Sequence, residues 1–207
     1  MNELAQWLNL QTEKHIVLGY GSLLSKNSRE RFSNIYTQGI PVTVSGFERA
    51  WVTRSLQEKQ TYVGAVANAR SQLNAQLIPT QINPALQERE KDYQFVAVNP
   101  QDLNFHSHHG DATPWLEERL SAFTFWICET LDCAPASEEY PVHQTYIDTC
   151  IAGCLEHGGK EEAERFVAHT SLWDHPRVND RANPKYPRAA LVESDVSNDI
   201  DKLLADT

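Results

Sequence analysis

Apolar residues recur with the spacing of strands in the first half of the chain. This pattern predicts strands at 15–19, 42–54, 62–69, 75–79 and 95–98, the second of them long or bent. An amphipathic helix is predicted at 2–10, and a polar loop with one helical turn at 26–32. Asn83 followed by Pro84 indicates a capped helix at 83–92. Strands in irregular succession around one helix predict an α+β fold with a curved sheet or a small barrel.

The second half of the chain has a different pattern. An aromatic and apolar run at 121–127 predicts one more strand of the main sheet. Helical spacing predicts a helix at 142–156, ended by Gly158 and Gly159, and a second helix at 160–171. Residues 173–188 carry three prolines and many polar side chains, and we expect them to form an ordered arm over the core. We therefore expect a core at 1–136 and a helical C-terminal extension at 137–207, packed as one structural domain.

Length and composition restrict the class of protein. The chain has 207 residues, of which 41% are hydrophobic and 22% charged, which is ordinary for one globular domain. A net charge of −10 argues against nucleic acid or an anionic membrane as partner, because both require a cationic surface. The first ten residues lack the pattern of a secretory signal, and no apolar run approaches the roughly 20 residues that span a bilayer. We expect a cytoplasmic protein and leave its oligomeric state open.

Two groups of residues could in principle bind metal. Cys128, Cys133, Cys150 and Cys154 have spacings that are unusual for zinc sites, and reduced buried thiols are expected without an export signal. His106, His108, His109 and Asp111 carry metal-binding groups, but they lie in a predicted loop where no helical spacing fixes them. A solvated loop is the favoured interpretation, and the sequence predicts neither a metal nor another cofactor.

The segment from Val17 to Leu23 ends an apolar strand abruptly in Tyr-Gly-Ser. Gly19 and Gly21 allow a ligand to approach the main chain closely. Ser22 adds a hydroxyl, and a turn at this point can direct several N–H groups at a carboxylate or an oxyanion. Taken alone, the segment is equally compatible with a plain tight turn.

A second segment, Arg89-Glu90-Lys91-Asp92-Tyr93, joins a charged helix end to a strand. Together the two segments resemble the γ-glutamylcyclotransferase superfamily, most nearly its ChaC-type and AIG2-like branches. The stretches at 46–51 and 73–79 lie where that family has a Gly-aromatic-x-Arg strand and an Asn-containing strand. The resemblance covers roughly residues 14–100. It implies an α+β fold with a small mixed, barrel-like sheet and helices packed outside, to which this chain adds its helical C-terminal region.

The resemblance also implies a reaction and its residues. The α-amine of a γ-glutamyl group attacks its own γ-carbonyl, 5-oxoproline forms, and the attached amine leaves. Glu90 corresponds to the family's catalytic glutamate and would act as general base and then acid; Glu88, two residues away, would point elsewhere. The implied binding loop, whose amides and hydroxyl hold the substrate's carboxylate and carbonyl, comprises Tyr20, Gly21, Ser22 and Leu23. Tyr93 matches a family tyrosine that either hydrogen-bonds in the pocket or packs between strands.

Several residues keep alternatives open. Gln94 stands where the family often has arginine, and Arg49 and Arg54 are expected to be exposed strand arginines. The arm residues Asp174, His175, Asp180 and Arg181 are expected to form salt bridges that lock the arm. A binding or regulatory module without turnover, or a related amide hydrolase or transferase in which Glu90 activates water, remain alternative functions. The sequence does not distinguish glutathione, a γ-glutamyl dipeptide, a γ-glutamylamine or an antibiotic-like amide as the substrate.

Overall fold

The computed structural model describes residues 3–105, 114–205 and 207. Its main sheet contains β1 (His15–Gly19), β2 (Ile40–Ser55), β3 (Gln60–Pro79), β4 (Tyr93–Val98), β5 (Leu103–Asn104), β6 (Thr124–Thr130) and β8 (Thr170–Ser171). The strand order is β4-β6-β1-β3-β2-β5, and β8 pairs with β2. A small second sheet pairs β7 (Val142–His143) with β9 (Arg177–Val178).

The hairpin of β2 and β3, the two longest described strands, forms most of the main sheet. These antiparallel strands pair from Ile40 opposite Leu77 to Ser55 opposite Gln60, with register shifts near Gly46 and after Trp51. Such bulges bend and twist a strand pair. Because β3 pairs with β1 at one end and with β6 at the other, the sheet curls into a half-barrel. This mixed, curled sheet with packed helices confirms the predicted α+β fold class.

Six described helices surround the sheet: α1 (Glu3–Leu10), α2 (Lys26–Ser33), α3 (Pro84–Arg89), α4 (Pro114–Leu120), α5 (Gln144–Ala168) and α6 (Ser194–Leu203). The first half of α5 buries Ile147, Cys150 and Ile151 in the main core. At Gly159 the backbone turns to φ 63°, a conformation that glycine adopts without steric cost. The predicted break between two helices is therefore a kink within one long element.

Some local predictions were wrong. The two strands predicted at 62–69 and 75–79 are one strand, which pairs with β2 on both sides of residues 68–71. Residues 26–33 form a helix rather than a loop, because the Ser25 side chain caps its first turn and the side chain of Arg29, within the helix, is buried. The last predicted helix ends at Ala168, because Thr170 and Ser171 pair with β2. All four cysteines are free, and Cys133 is exposed rather than buried.

Side chains of the arm at 173–188 bind to the beginning of α5. Asp180 accepts hydrogen bonds from the Thr145 amide at 2.8 Å and hydroxyl at 2.7 Å, and Arg181 Nε lies 2.7 Å from Asp148. The predicted salt bridge that locks the arm is thus confirmed for Arg181, whereas Asp180 holds the arm by hydrogen bonds. The prediction was wrong for Asp174 and His175, which form an exposed pair with each other. The division of the chain at residue 136 stays a prediction.

Within the described ranges, no helix has the length and apolar character needed to cross a membrane. Those ranges also contain no group of three or more His, Cys, Asp or Glu side chains arranged to hold a metal ion. The predicted loop with His106, His108, His109 and Asp111 lies outside the described residues.

Candidate active site

The loop after β1 is compact, and Gly21 in this loop has no room for a larger side chain. Gly21 precedes a single 3₁₀ turn at Ser22–Leu24, which is closed by the Leu24 amide donating to the Gly21 carbonyl at 2.9 Å. A Cβ atom at Gly21 would lie 2.9 Å from the Tyr146 hydroxyl and 3.0 Å from Val63 Cγ2. A larger residue would therefore push against both β3 and α5, and the loop would have to move.

The Ser22 hydroxyl is fixed by two donors. Its oxygen accepts a hydrogen bond from Arg89 Nη2 at 2.8 Å and another from the Tyr186 hydroxyl at 2.7 Å. A serine oxygen has two lone pairs and one hydrogen. Since both lone pairs are engaged, the Ser22 hydrogen is left to donate to an acceptor bound beside the loop.

Glu90 follows the last residue of α3. The helix begins at Pro84 after the Asn83 side chain accepts from the Leu86 amide at 2.9 Å, and the Glu90 amide donates to the Leu86 carbonyl at 3.0 Å. The Glu90 side chain is 11% exposed. Burial raises the pKa of this carboxyl, and the nearby Arg89, Arg188 and Cys128 side chains partly oppose the rise. A carboxyl group with a raised pKa is suited to accept a proton and return it.

Arg89 connects three elements around Glu90. Its Nη1 donates to the Ser33 hydroxyl at 2.9 Å and the Ser28 carbonyl at 3.4 Å, and its Nη2 donates to the hydroxyls of Ser22 and Ser28. Its Nε lies 3.7 Å from Glu90 Oε1. The guanidinium therefore holds the helix end that carries Glu90 against the loop and α2.

The neighbouring charged residues lie outside this arrangement. The Glu88 side chain is 76% exposed and pairs with Lys91 at 3.1 Å. Lys91 also donates to Gln57 at 2.7 Å. Glu90 is thus distinguished from Glu88 by its burial and by its place beside the loop.

Two tyrosines contribute buried phenols. Tyr20 donates to the Cys128 carbonyl and accepts from the Ala65 amide at 3.0 Å. Tyr93 donates to the Val63 carbonyl at 2.8 Å. Burial raises the pKa of both hydroxyl groups well above their ordinary value, so both remain neutral phenols that connect the strands around the site.

The loop at 20–23, Arg89, Glu90 and Tyr93 line one cavity of about 30 Å³. Every predicted site residue lies at this cavity: Tyr20, Gly21, Ser22, Leu23, Glu90 and Tyr93. A volume of this size holds about one or two water molecules. A larger ligand therefore requires some of the lining side chains to move.

The cavity also contains residues to which the sequence analysis gave no role: Tyr62, Val63, Arg89, Asp92, Cys128, Tyr146, Tyr186 and Arg188. Arg89 could have been noticed because it adjoins Glu90 in the matching segment. Tyr186 belongs to the predicted arm, and it reaches Ser22 across 164 residues of sequence. No local pattern distinguishes Arg188 from other surface arginines.

The remaining arginine and glutamine predictions have mixed outcomes. Arg49 is fully buried, contrary to expectation, because its guanidinium donates to carbonyl groups of Tyr20, Asn74 and Phe166. It holds the end of β1 and the end of α5 together, which gives it a structural role beside the loop. Arg54 is half-buried and donates to the Pro135 carbonyl at 2.7 Å. Gln94 donates to Glu129 at 2.9 Å in an exposed position.

Comparison with known proteins gives a fold but no sequence relative. No protein-family model matches the chain, and no curated protein sequence matches it. The structure of YkqA from Bacillus subtilis matches with a TM-score of 0.54 and 13% identity, over 79% of this chain and 55% of YkqA. The chain therefore spans just over half the length of YkqA.

Two further structures match over nearly their whole length. The uncharacterized human protein loc79017 has a TM-score of 0.52 and 12% identity, over 90% of this chain and 97% of that one. A structure described as γ-glutamyl cyclotransferase has a TM-score of 0.49 and 12% identity, with 91% and 98% covered. At these identities the likenesses concern the fold alone, and the chain shares its fold with YkqA and loc79017.

Proposed function

We propose that this protein is a γ-glutamylcyclotransferase-type enzyme, which releases 5-oxoproline from a γ-glutamyl peptide or amine by intramolecular aminolysis. One observation supports this most strongly: the Glu90 carboxyl, with its raised pKa, lines the same buried cavity as the Ser22 hydroxyl. A proton acceptor and a hydrogen-bond donor for a carboxylate or carbonyl are the two functions that the reaction needs.

The proposed reaction conserves atoms without water. Glu90 takes a proton from the substrate's α-ammonium group, and the amine nitrogen then attacks the γ-carbonyl carbon to form the ring C–N bond. The negative charge that develops on the carbonyl oxygen is stabilised by the loop amides and the Ser22 hydroxyl. The original amide C–N bond breaks as Glu90 returns its proton to the leaving nitrogen. The ring nitrogen then gives its second proton to Glu90, which passes it to the departing amine, so the lactam is neutral and the amine leaves as an ammonium ion.

Ring closure within one molecule makes few demands on the protein. A bound γ-glutamyl group already carries its own nucleophile, so the enzyme contributes mainly by folding the chain so that the amine lies near the carbonyl carbon. The rigid loop and the bracing of Glu90 by Arg89 are suited to this positioning role. The small cavity accommodates a compact glutamyl group only after side-chain movement.

A coupled 5-oxoproline assay on several γ-glutamyl compounds tests this function. The panel contains glutathione, a γ-glutamyl dipeptide and a γ-glutamylamine, since the cavity alone does not select among them. Turnover that yields 5-oxoproline supports the proposal. Release of glutamate instead would identify an amide hydrolase, and binding without any product would identify a non-catalytic module.

A further inference from the structure

Arg188, on the C-terminal arm, lies at the boundary between two cavities. It lines the buried cavity with Glu90, and it also lines a surface depression of about 260 Å³ that includes Gln57, Glu88 and Lys91. Ser28 anchors its main chain by donating to the Arg188 carbonyl at 2.8 Å. The guanidinium lies 5.8 Å from the ring centre of Tyr62 and 5.2 Å from that of Tyr186. It is therefore held in place at the opening of the buried cavity.

The Arg188 guanidinium retains a donor that the described protein does not use. Its Nη1 bonds to Glu58 at 3.1 Å, whereas its Nε is buried and has no hydrogen-bond partner among the described residues. Arg89, the other arginine at this cavity, already directs both of its Nη atoms to serine hydroxyls and a carbonyl. Arg89 also lines both cavities, and its Nε likewise has no hydrogen-bond partner among the described residues. The two arginines differ in their Nη atoms, because the protein binds both of them in Arg89, whereas the Arg188 guanidinium is bound at Nη1.

The charges around this boundary make Arg188 important for the binding of an anion. Glu58 and Asp92 line the depression beside it, and Asp92 lines the buried cavity as well. The other two cations that line the depression are already engaged, because Lys91 is paired with Glu88 and Arg89 directs its Nη atoms to serine oxygens. Without Arg188, an incoming carboxylate would meet the two acidic groups at close range, so the guanidinium both attracts an anion and offsets their repulsion.

The proposed reaction determines which part of the substrate lies here. The glutamyl amine must reach Glu90 inside the cavity, and the loop supplies donors for the glutamyl carboxylate. The leaving group must then extend outward, past Arg188 and into the depression. Guanidinium groups bind carboxylates with charge-assisted, geometrically specific hydrogen bonds.

Resting on the proposed function, we propose that Arg188 is a specificity-determining residue, which selects substrates whose leaving group carries a carboxylate. The substrate class is then γ-glutamyl amino acids and peptides, in preference to γ-glutamylamines. Arg188 takes no part in bond making or breaking; it binds the anionic end of the departing amine.

Three substrates that differ in the charge of the leaving group test this proposal: γ-glutamylglycine (anionic), γ-glutamylethylamide (neutral) and γ-glutamyl-(2-aminoethyl)amide (cationic). The wild type should turn over the anionic compound with the highest kcat/KM. Loss of a charge-assisted hydrogen bond should make Arg188→Gln about 10- to 100-fold slower in kcat/KM on γ-glutamylglycine. The loss on the neutral compound should be smaller, because that compound is affected only through the influence of Arg188 on Glu90. The cationic compound should be turned over as well or better, because Glu58 and Asp92 then lack their cation.

The controls separate recognition from folding. Arg188→Lys keeps the charge and should retain part of the preference, and melting temperatures verify that each variant is folded. Arg177→Gln is the matched control, because Arg177 lies on the same arm with its guanidinium 5.7 Å from the Trp173 ring centre; it should leave the order of the three substrates unchanged. Equal losses of Arg188→Gln on all three substrates, or no loss on any, would overturn the proposal. A wild type that releases no 5-oxoproline from any of them would instead overturn the proposed function, and this inference with it.

Discussion

Replacing Glu90 by glutamine removes the proposed proton acceptor and keeps the shape of the side chain. Loss of a general acid–base group lowers rates by about 10²–10⁴-fold, or roughly 3–5 kcal/mol of transition-state stabilisation. The fold should be retained, because Arg89 keeps its hydrogen bonds to Ser22, Ser28 and Ser33 and loses only the charge of Glu90 at 3.7 Å. We expect kcat to fall by this factor and KM to change little.

The assay is steady-state release of 5-oxoproline by Glu90→Gln, with Glu88→Gln as the matched control. Glu88 is two residues away and its side chain is 76% exposed, so its replacement should be nearly silent. Asp92 lines the same cavity, and any residual activity of Glu90→Gln should disappear when Asp92→Asn is added. An inactive Glu88→Gln beside an active Glu90→Gln would refute the assignment of the catalytic carboxylate.

Four further predictions concern the loop, the buried carboxyl and metals. Ser22→Ala should weaken binding of 5-oxoproline by about 0.5–1.5 kcal/mol, and by more if the hydroxyl meets a carboxylate, as measured by calorimetry; unchanged affinity would exclude the hydroxyl from the site. Gly21→Val should lower both activity and the melting temperature, since its side chain would meet Tyr146 and Val63 within about 3.0 Å, and a fully active variant would contradict the assigned loop. Burial raises the pKa of Glu90 in the folded state above its ordinary value of 4.5, so the protein loses stability as the pH rises from 4.5 through the raised pKa. Glu90→Gln should therefore melt at a higher temperature than wild type at neutral pH, and at the same temperature below pH 4.5. A lower melting temperature of the variant at neutral pH would show that the folded protein stabilises the charged form of Glu90. Activity should survive exhaustive dialysis against a chelator, because self-cyclisation needs no metal-bound water; loss of activity that zinc restores would contradict this and direct attention to His106, His108, His109 and Asp111.

Much of the fold follows from local patterns in the sequence. The strands β1, β2 and β4 and the capped helix α3 were predicted because alternating apolar residues and the Asn83–Pro84 pair are local signals. The continuous β3 was missed because its polar middle resembles a loop, and its continuity depends on pairing with β2 on both sides of residues 68–71, which is not a local signal. The helix α2 was missed because its stability derives from the buried Arg29, whose Nη1 donates to the Leu23 and Leu24 carbonyls at 2.8 and 3.0 Å.

The candidate site was predictable where its residues are close in sequence. The loop at 20–23 and the segment at 89–93 each have a recognisable pattern, and the structure brings them to one cavity. The contributions of the arm were not predictable, because Tyr186 and Arg188 reach the cavity through tertiary packing across α2 and α5. Arg49 was expected to be exposed for the same reason: the carbonyl groups that satisfy it in the core come from distant segments.

The identity of the product tests the central claim most directly. Wild-type protein is incubated with a γ-glutamyl dipeptide in water enriched in oxygen-18, and the products are analysed by mass spectrometry. Intramolecular aminolysis predicts one 5-oxoproline for each amino acid released, with no oxygen-18 in either product, since no water molecule enters the reaction. Glutamate that carries oxygen-18 would show that water, and not the substrate's own amine, is the nucleophile, and the absence of either product would contradict an enzymatic role for Glu90.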